Sequence, residues 1–343
     1  SGIVSGSLDL VDDVGTVTGS IADGSVTDDT RPTYTGKATA DIDHVNIYDN
    51  GTLIGSAPVD ENGNWSFTPE TGLAAGDHAF TAAAVDKAGL EGPQVSGTDD
   101  AAWNFTLDTN VPDNITSGIV DGSLGLTDDV GPVTGPIADG GTTDDTRPTY
   151  TGTATADIDH VNIYDNGTLI GSAPVDENGN WSYTPETDLA EGDHSLTVAA
   201  VNKAGQEGPQ TSGTDDGSWD FTVDTTAPDN TTSGIVSGSL DLVDDVGTVT
   251  GSIADGSVTD DTRPTYTGKA TADIDHVNIY DNGTLIGSAP VDENGNWSFT
   301  PETGLAAGDH AFTAAAVDKA GLEGPQISGT DDAAWNFTLD TTA

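Results

Sequence analysis

Aspartate pairs recur along the chain at fixed places: Asp12-Asp13, Asp28-Asp29, Asp128-Asp129, Asp144-Asp145, Asp244-Asp245 and Asp260-Asp261. Single acids stand at Asp108, Asp224 and Asp340, and Asp-x-Asp triplets at Asp157/Asp159 and Asp273/Asp275. These carboxylates lie in polar surroundings without a second nitrogen ligand or any sulfur nearby. Hard oxygen donors of this kind suit calcium, which takes about six to eight oxygens from carboxylates, amide side chains and carbonyls in flexible geometry. Magnesium, which keeps its water, suits them less. Asn202 stands where the first copy has Asp86 and retains a side-chain oxygen, so it joins the candidate ligands, as does Asp318. Asp9 becomes Gly125 in the second copy and is dispensable as a ligand.

Other chemistry finds no footing. The chain has no cysteine, which removes disulfides, thiolate nucleophiles and Cys-bound zinc. There is no glycine-rich phosphate loop, nucleophile elbow or paired-histidine zinc motif. The carboxylates occupy polar loops and not an apolar cleft that would raise a catalytic pKa. His44 and His78 open strand-like segments and read as surface or packing residues. The expected protein is not an enzyme.

The charge balance is extreme: 58 Asp+Glu against 8 Lys+Arg, a net charge of −50. Such a field repels nucleic acid and anionic membranes, so neither is an expected partner, and there is no apolar run for direct membrane insertion. It also opposes folding by self-repulsion. Yet 34% of the residues are hydrophobic and aromatics recur regularly, so the expectation is a folded chain neutralised by something outside its sequence, with metal cations the simplest candidate.

The elements that place these acids follow from repetition. Ser-Gly-Ile-Val begins at Ser1, Ser117 and Ser233, and Thr-Asp-Asp-Thr-Arg-Pro at Thr27, Thr143 and Thr259, a spacing of 116 residues. The expected domains are residues 1–109, then 110–225 as a linker with the second repeat, then 226–343 as a linker with the third. The first and third copies are nearly identical, and the second departs more, a difference between neighbours that limits swapping during folding. The chain reads as a piece of something longer.

Within one copy the pattern is β. His44-Val45-Asn46-Ile47-Tyr48 alternates polar and apolar residues, Asn50-Gly51 marks a tight hairpin, and 52–59 returns. Asp60-Glu61-Asn62-Gly63 makes a second turn before Trp65-Ser66-Phe67. Further strands are expected near 8–11, 33–38, 78–85 and 103–107, about seven in all, which predicts a sandwich with Trp65 and Trp103 in its core. Strands alternate in direction, so loops sort to two poles. Asp12-Asp13, Asp28-Asp29, Asp49, Asp77 and the exit at Asp108 fall at one; Asp41, Asp43, Asp60 and Asp86 at the other. In a head-to-tail string, acids of two domains converge on each linker. The linkers, rich in Gly, Ser and Thr, are expected to flex by themselves. The expected architecture is all-β: three tandem immunoglobulin-like β-sandwich domains in a linear rod.

The repeat resembles the bacterial Ig-like repeats of giant type I-secreted adhesins, the biofilm-associated and SiiE-like group. The resemblance is carried by Asp12-Asp13-Val14-Gly15, Thr27-Asp28-Asp29-Thr30, Asp49-Asn50-Gly51, Gly63-Asn64-Trp65, Gly76-Asp77-His78, Asp86-Lys87-Ala88-Gly89 and Asp224-Thr225-Thr226-Ala227-Pro228, and it covers the whole chain. The first linker departs, reading Asp108-Thr109-Asn110-Val111-Pro112. The resemblance implies a monomeric calcium-bound extender, outside the cell on a bacterial surface, whose partners are neighbouring repeats of the parent adhesin. Two other readings stand beside it: repeats that bind carbohydrate or protein, or self-associate in biofilm, and an accessory module of an enzyme. Residues 96–102 lengthen the last loop and have no assigned role.

Overall fold

In a computed structural model of the chain, the structure describes residues 2–98, 102–213, 217–329 and 334–342. The described residues form strands and turns, and no helix among them is long and apolar enough to cross a membrane. Six sheets pair into three β-sandwiches, one per repeat, as the sequence predicts. By compactness the chain divides into two units: Ser1–Leu124 with Thr151–Tyr183 and Leu196–Ser218, and Gly125–Tyr150 with Thr184–Ser195 and Trp219–Ala343. The first unit holds the whole first sandwich and the second the whole third.

The first sandwich shows the plan. Its strands are β1 (Asp9–Asp12), β2 (Gly19–Ser20), β3 (Ser25–Thr27), β4 (Thr33–Lys37), β5 (Ile42–Asp49), β6 (Thr52–Pro58), β7 (Asn64–Phe67), β8 (Gly76–Asp86), β9 (Glu91–Val95) and β10 (Trp103–Leu107). One sheet runs β2-β1-β4-β7; the other runs β3-β10-β8-β5-β6, with β9 on β8. The seven expected strands are present. The additional ones, β2, β3 and β9, are too short or too exposed to carry a period-2 signal: β9 is exposed throughout and contains Pro93. The Ala-rich segment 79–84 belongs to β8, whose first half pairs with β10 and whose second half pairs with β9.

The start of the chain changes sheet. β1 pairs antiparallel with β4, and after a short excursion β3 pairs parallel with β10, Phe105 facing Ser25 and Leu107 facing Thr27. This switch delivers the ends of β1 and β3, and so both aspartate pairs, to one place. The turns behave as their residues dictate. Asn50 and Gly51 take left-handed φ angles of 49° and 76°, the conformation a two-residue hairpin between twisted strands requires.

Tyr34 anchors the core. It is fully buried, with ring centroids 5.5 Å from Trp65, 5.9 Å from Phe80 and 6.1 Å from Trp103, and its hydroxyl donates to the carbonyl of Ser96 at 2.8 Å. Trp103 donates its indole N–H to the carbonyl of Ile21 at 3.0 Å. Both expected core tryptophans are therefore buried. Residues 99–101 of the long last loop lie outside the described residues.

Phe80 and Ala82, two apart on β8, are both fully buried; the second repeat has Leu196 and Val198 in their places, also buried. One side chain shrinks as its neighbour on the same face grows, which conserves volume. Phe80→Leu with Phe312→Leu should destabilise the first and third repeats by on the order of 1 kcal/mol each. Ala82→Val with Ala314→Val should do the same by overpacking. Combined, the changes should cost less than their sum by about 1 kcal/mol, measured as a double-mutant cycle in denaturant. Simple additivity would show that the two positions do not share volume.

Candidate metal centre

At the sheet switch the side chains of Asp12 and Asp29 turn inward and are buried, as are Asp128, Asp145, Asp244 and Asp261 in the later repeats. Each carboxylate is held by protein donors. Thr27 Oγ1 donates to Asp12 Oδ2, and the Val14 amide to Asp12 Oδ1 at 2.9 Å. The Arg31 amide donates to Asp29 Oδ1 at 2.8 Å and the Asp13 amide to Asp29 Oδ2 at 3.4 Å. The amide of Asp108 donates to the carbonyl of Thr27 at 2.9 Å, which brings the exit of β10 to the same corner. The sequence-predicted group Asp12, Asp13, Asp28, Asp29 and Asp108 thus gathers around β3, and the same backbone bond places Asp224 and Asp340 beside Thr143 and Thr259.

Asp28 differs from its neighbours. Its Oδ1 is buried and has no hydrogen-bond donor, and Asp144 Oδ1 is in the same position in the second repeat. Gly15 lies against this carboxylate: its φ is +70°, and a Cβ there would come within 2.6 Å of Asp28 Oδ2. Burial pushes the Asp28 carboxyl above the ordinary carboxylate range, and the charge of Asp12 adds to it. Burial likewise raises Asp29 against the opposing amide bonds from Arg31 and Asp13. Asp144 and Asp145 are raised for the same reasons. Half-buried like charges with an unanswered oxygen fit a hard cation chemically. Among the described residues, however, no three His, Asp or Glu side chains are arranged to hold a metal as they stand.

At the opposite pole the candidates part company. Asp157 accepts from Ser117 Oγ at the start of its own repeat, and Asp273 from Ser233 Oγ. Burial works against the Asp157 charge, but hydrogen bonds from Ser117 and Thr155 outweigh it and hold the carboxyl below its usual range. Asp273 follows the same balance. Asp159 and Asp275 are exposed and pair with the adjacent His160 and His276 at 2.9 Å. His78 is a packing residue, stacked 5.2 Å from Phe105 between Asp49 and the carbonyl of Ala74. Asp60 is occupied as a turn residue, accepting the amides of Asn62 and Asn64.

The linkers differ from the expectation of free flexing. Asp113 Oδ1 accepts the amides of Ile115, Thr116 and Ser117 at 2.9, 2.7 and 3.1 Å. These three donors hold its carboxyl well below the usual range. Asn114, at φ 57°, donates to the carbonyl of Pro209 at 2.9 Å and accepts the Ile119 amide at 3.0 Å. Asp229 and Asn230 repeat the arrangement, with Asn230 donating to the carbonyl of Pro325 at 3.0 Å. An aspartate that captures the amides after it closes a turn, and the asparagine fastens that turn to the following repeat. The signal was in the sequence, an Asp-Asn followed by Ser and Thr, but its glycine and hydroxyl content reads first as linker. Ahead of this turn, Thr16 Oγ1 donates to the Gly205 carbonyl at 2.5 Å, and a Cβ on Gly205 would come within 2.5 Å of Val17.

The sequence profile of the bacterial Ig-like domain matches residues 7–109, 124–225 and 237–341. The chain belongs to the bacterial Ig-like domain family. No curated protein matches it. Its fold is similar to solved structures of low identity. These include the fibronectin(III)-like modules of Clostridium thermocellum CbhA, at 18% identity and TM-score 0.34, covering 59% of this chain and 90% of that one. They also include a tetra-tandem repeat from the extending region of a large adhesion protein, at 19% identity and TM-score 0.25, covering 99% and 75%. The FN1-FN3 domains of chicken CNTN1 match at 12% identity and TM-score 0.36, covering 92% and 96%.

Two measurements test the electrostatics of these Ig-like repeats. Asp28, Asp29, Asp144 and Asp145 have folded-state pKa values above their ordinary 3.8, so the folded state binds more protons than the unfolded one between that value and neutrality. With metal removed, melting temperature should therefore rise as pH falls from 7 through this window. It should fall again only below the ordinary carboxylate range, where depressed groups such as Asp113 and Asp157 lose their advantage. Melts followed by circular dichroism at a series of pH values decide this, and a monotonic loss of stability on acidification would contradict it. For the linker, Asp113→Ala should speed hydrogen exchange at the Ile115, Thr116 and Ser117 amides by about tenfold or more, with β8 and its counterparts unaffected. Unchanged exchange would mean that Asp113 does not hold the turn.

Proposed function

We propose that the chain is an extender segment of a large repetitive bacterial surface adhesin, standing outside the cell, with calcium bound at the ends of its domains. The observation that carries this reading is the repetition of one acid-bearing domain three times in tandem. In each copy the sheet switch draws Asp12-Asp13 and Asp28-Asp29, or their counterparts, together. In two copies a buried carboxylate oxygen lacks a donor. Tandem copies of a non-catalytic sandwich serve length, and a net charge of −50 demands external cations.

In this reading the far-pole acids Asp28 and Asp108 with their counterparts, and the near-pole acids Asp157, Asp159, Asp273 and Asp275, offer oxygen ligands. Asp12 and Asp29 shape the loops through their amide and hydroxyl bonds. Calcium would supply the positive charge that lets these carboxylates stay ionised side by side. Inside the cell, where calcium is scarce, their repulsion would keep the chain loosely folded for type I secretion; outside, calcium would drive folding by mass action. The rival reading as a carbohydrate-binding platform has little support, because Trp65, Trp103, Trp181, Trp297 and Trp335 are spent in the cores.

An eleven-residue strand such as β8 spans roughly 36 Å, a domain with its loops is on the order of 40 Å long, and three in line would approach roughly 120 Å. Small-angle scattering of the whole chain should give a maximum dimension near that length in millimolar calcium. Chelator should give a broader distribution and a melting temperature lower by several degrees. Identical scattering and melting in the two conditions, with metal loss confirmed, would overturn the calcium part of the proposal.

A further inference from the structure

The last residue of the eleven-residue strand differs between the two linked repeats in a way that changes what each linker needs. In the second repeat it is Asn202, 1% exposed. Its Oδ1 accepts the amides of Ala204 at 3.1 Å and Gln206 at 2.8 Å. Its Nδ2 donates to the linker carbonyl of Asn110 at 2.9 Å and to Gln206 Oε1 at 3.2 Å. Every donor and acceptor of that amide is used, and two of its bonds hold the linker and the following turn without any added ion.

In the third repeat the residue is Asp318, 2% exposed. Its Oδ1 accepts the Leu322 amide at 2.9 Å, in the place of Gln206. Its Oδ2 is buried and has no partner. A carboxylate has no hydrogen to give, so it cannot reproduce the bond that Asn202 makes to the linker, where Thr226 now stands at the position of Asn110. Leu322 has also removed the amide side chain that Gln206 supplied. Burial pushes the Asp318 carboxyl up, and the charge of Asp224, at the head of the same linker and itself another acceptor, adds to it. A buried carboxylate oxygen with an acid nearby and no donor is strongly unfavourable unless a cation joins them.

We propose that the two linkers of this chain are fastened by different chemistry: Asn202 closes the first with its amide and binds no ion, whereas Asp318, with Asp224, holds a calcium ion at the second. This rests on the calcium reading above and restricts it, since Asn202 then leaves the set of ligands. The paired exchange of Asn202 and Gln206 for Asp318 and Leu322 is one change of fastening, from a self-sufficient amide network to an ion-dependent carboxylate.

The test is calcium titration calorimetry and thermal melting of the full chain, wild type beside Asp318→Asn and Asn202→Asp. Asp318→Asn should bind one calcium ion fewer than wild type and melt higher than wild type in chelator. Asn202→Asp should bind one more and melt lower in chelator, with the loss recovered on adding calcium. If wild type binds calcium and Asp318→Asn binds the same number with the same melting temperature in chelator, the assignment of Asp318 is wrong while the extender reading stands. If wild type binds no calcium at all, both fall together.

Discussion

With 58 acidic side chains and 8 basic ones, ion pairing cannot satisfy the carboxylates of this chain, and backbone amides answer many of them instead. An aspartate that accepts the amides two to four residues ahead needs no cation and fixes a turn while it does so. Asp60, Asp113, Asp176, Asp229 and Asp292 are all used this way. Asp12 and Asp29 do the same in a buried setting, with Thr27 as an added donor. Acidity is thus converted into loop structure, and the strands are joined by turns whose geometry the aspartates hold.

Against that background the exceptions carry meaning. Asp28, Asp144 and Asp318 each bury an oxygen that no protein donor reaches. All three lie beside other acids, and burial is the largest influence raising each of them. Amides and hydroxyls answer many of the other carboxylates and leave these oxygens unanswered at the ends of the domains, which is the observation on which the calcium proposal rests. The linker turns bear on the same question. Asp113 and Asn114 tie the first linker to the repeat that follows, and Asn202 holds the carbonyl of Asn110 ahead of them, so protein groups alone fasten that linker at both places.

The second repeat shows that the unit tolerates change when changes are coupled. Leu196 with Val198 replaces Phe80 with Ala82 in the core, and Asn202 with Gln206 replaces Asp86 with Leu90 at the domain end. The first exchange conserves volume, whereas the second changes the polar bonding: the Asn202 side chain makes four hydrogen bonds, and Asp86 accepts two amides. Near-identical repeats thus keep the fold while differing in what their domain ends can bond.

The sequence by itself determined the repeat, the fold class, the seven principal strands, the hairpin at Asn50-Gly51 and the two core tryptophans. All of these follow from period, turn chemistry and hydrophobic alternation, which are local. It also determined that Asp12-Asp13 and Asp28-Asp29 would share a pole, because strand direction alone sorts the loops. What it did not reveal was which oxygens were already taken. Asp12, Asp28 and Asp29 read alike as letters; Asp12 and Asp29 accept amides two residues ahead, the sheet switch adds Thr27 and Asp13 as donors to them, and Asp28 Oδ1 is left without one. Asp157 and Asp159 look like one motif, yet Asp157 lies just before the strand Ile158–Asp165 and accepts from Ser117, whereas Asp159 lies on that strand and pairs with His160. Short exposed strands such as β9 depend on pairing with β8 for their shape, and Asn202 and Asp318 depend on what the linker presents to them. Tertiary structure decided those cases, because whether a buried oxygen has a partner is set by residues distant in sequence.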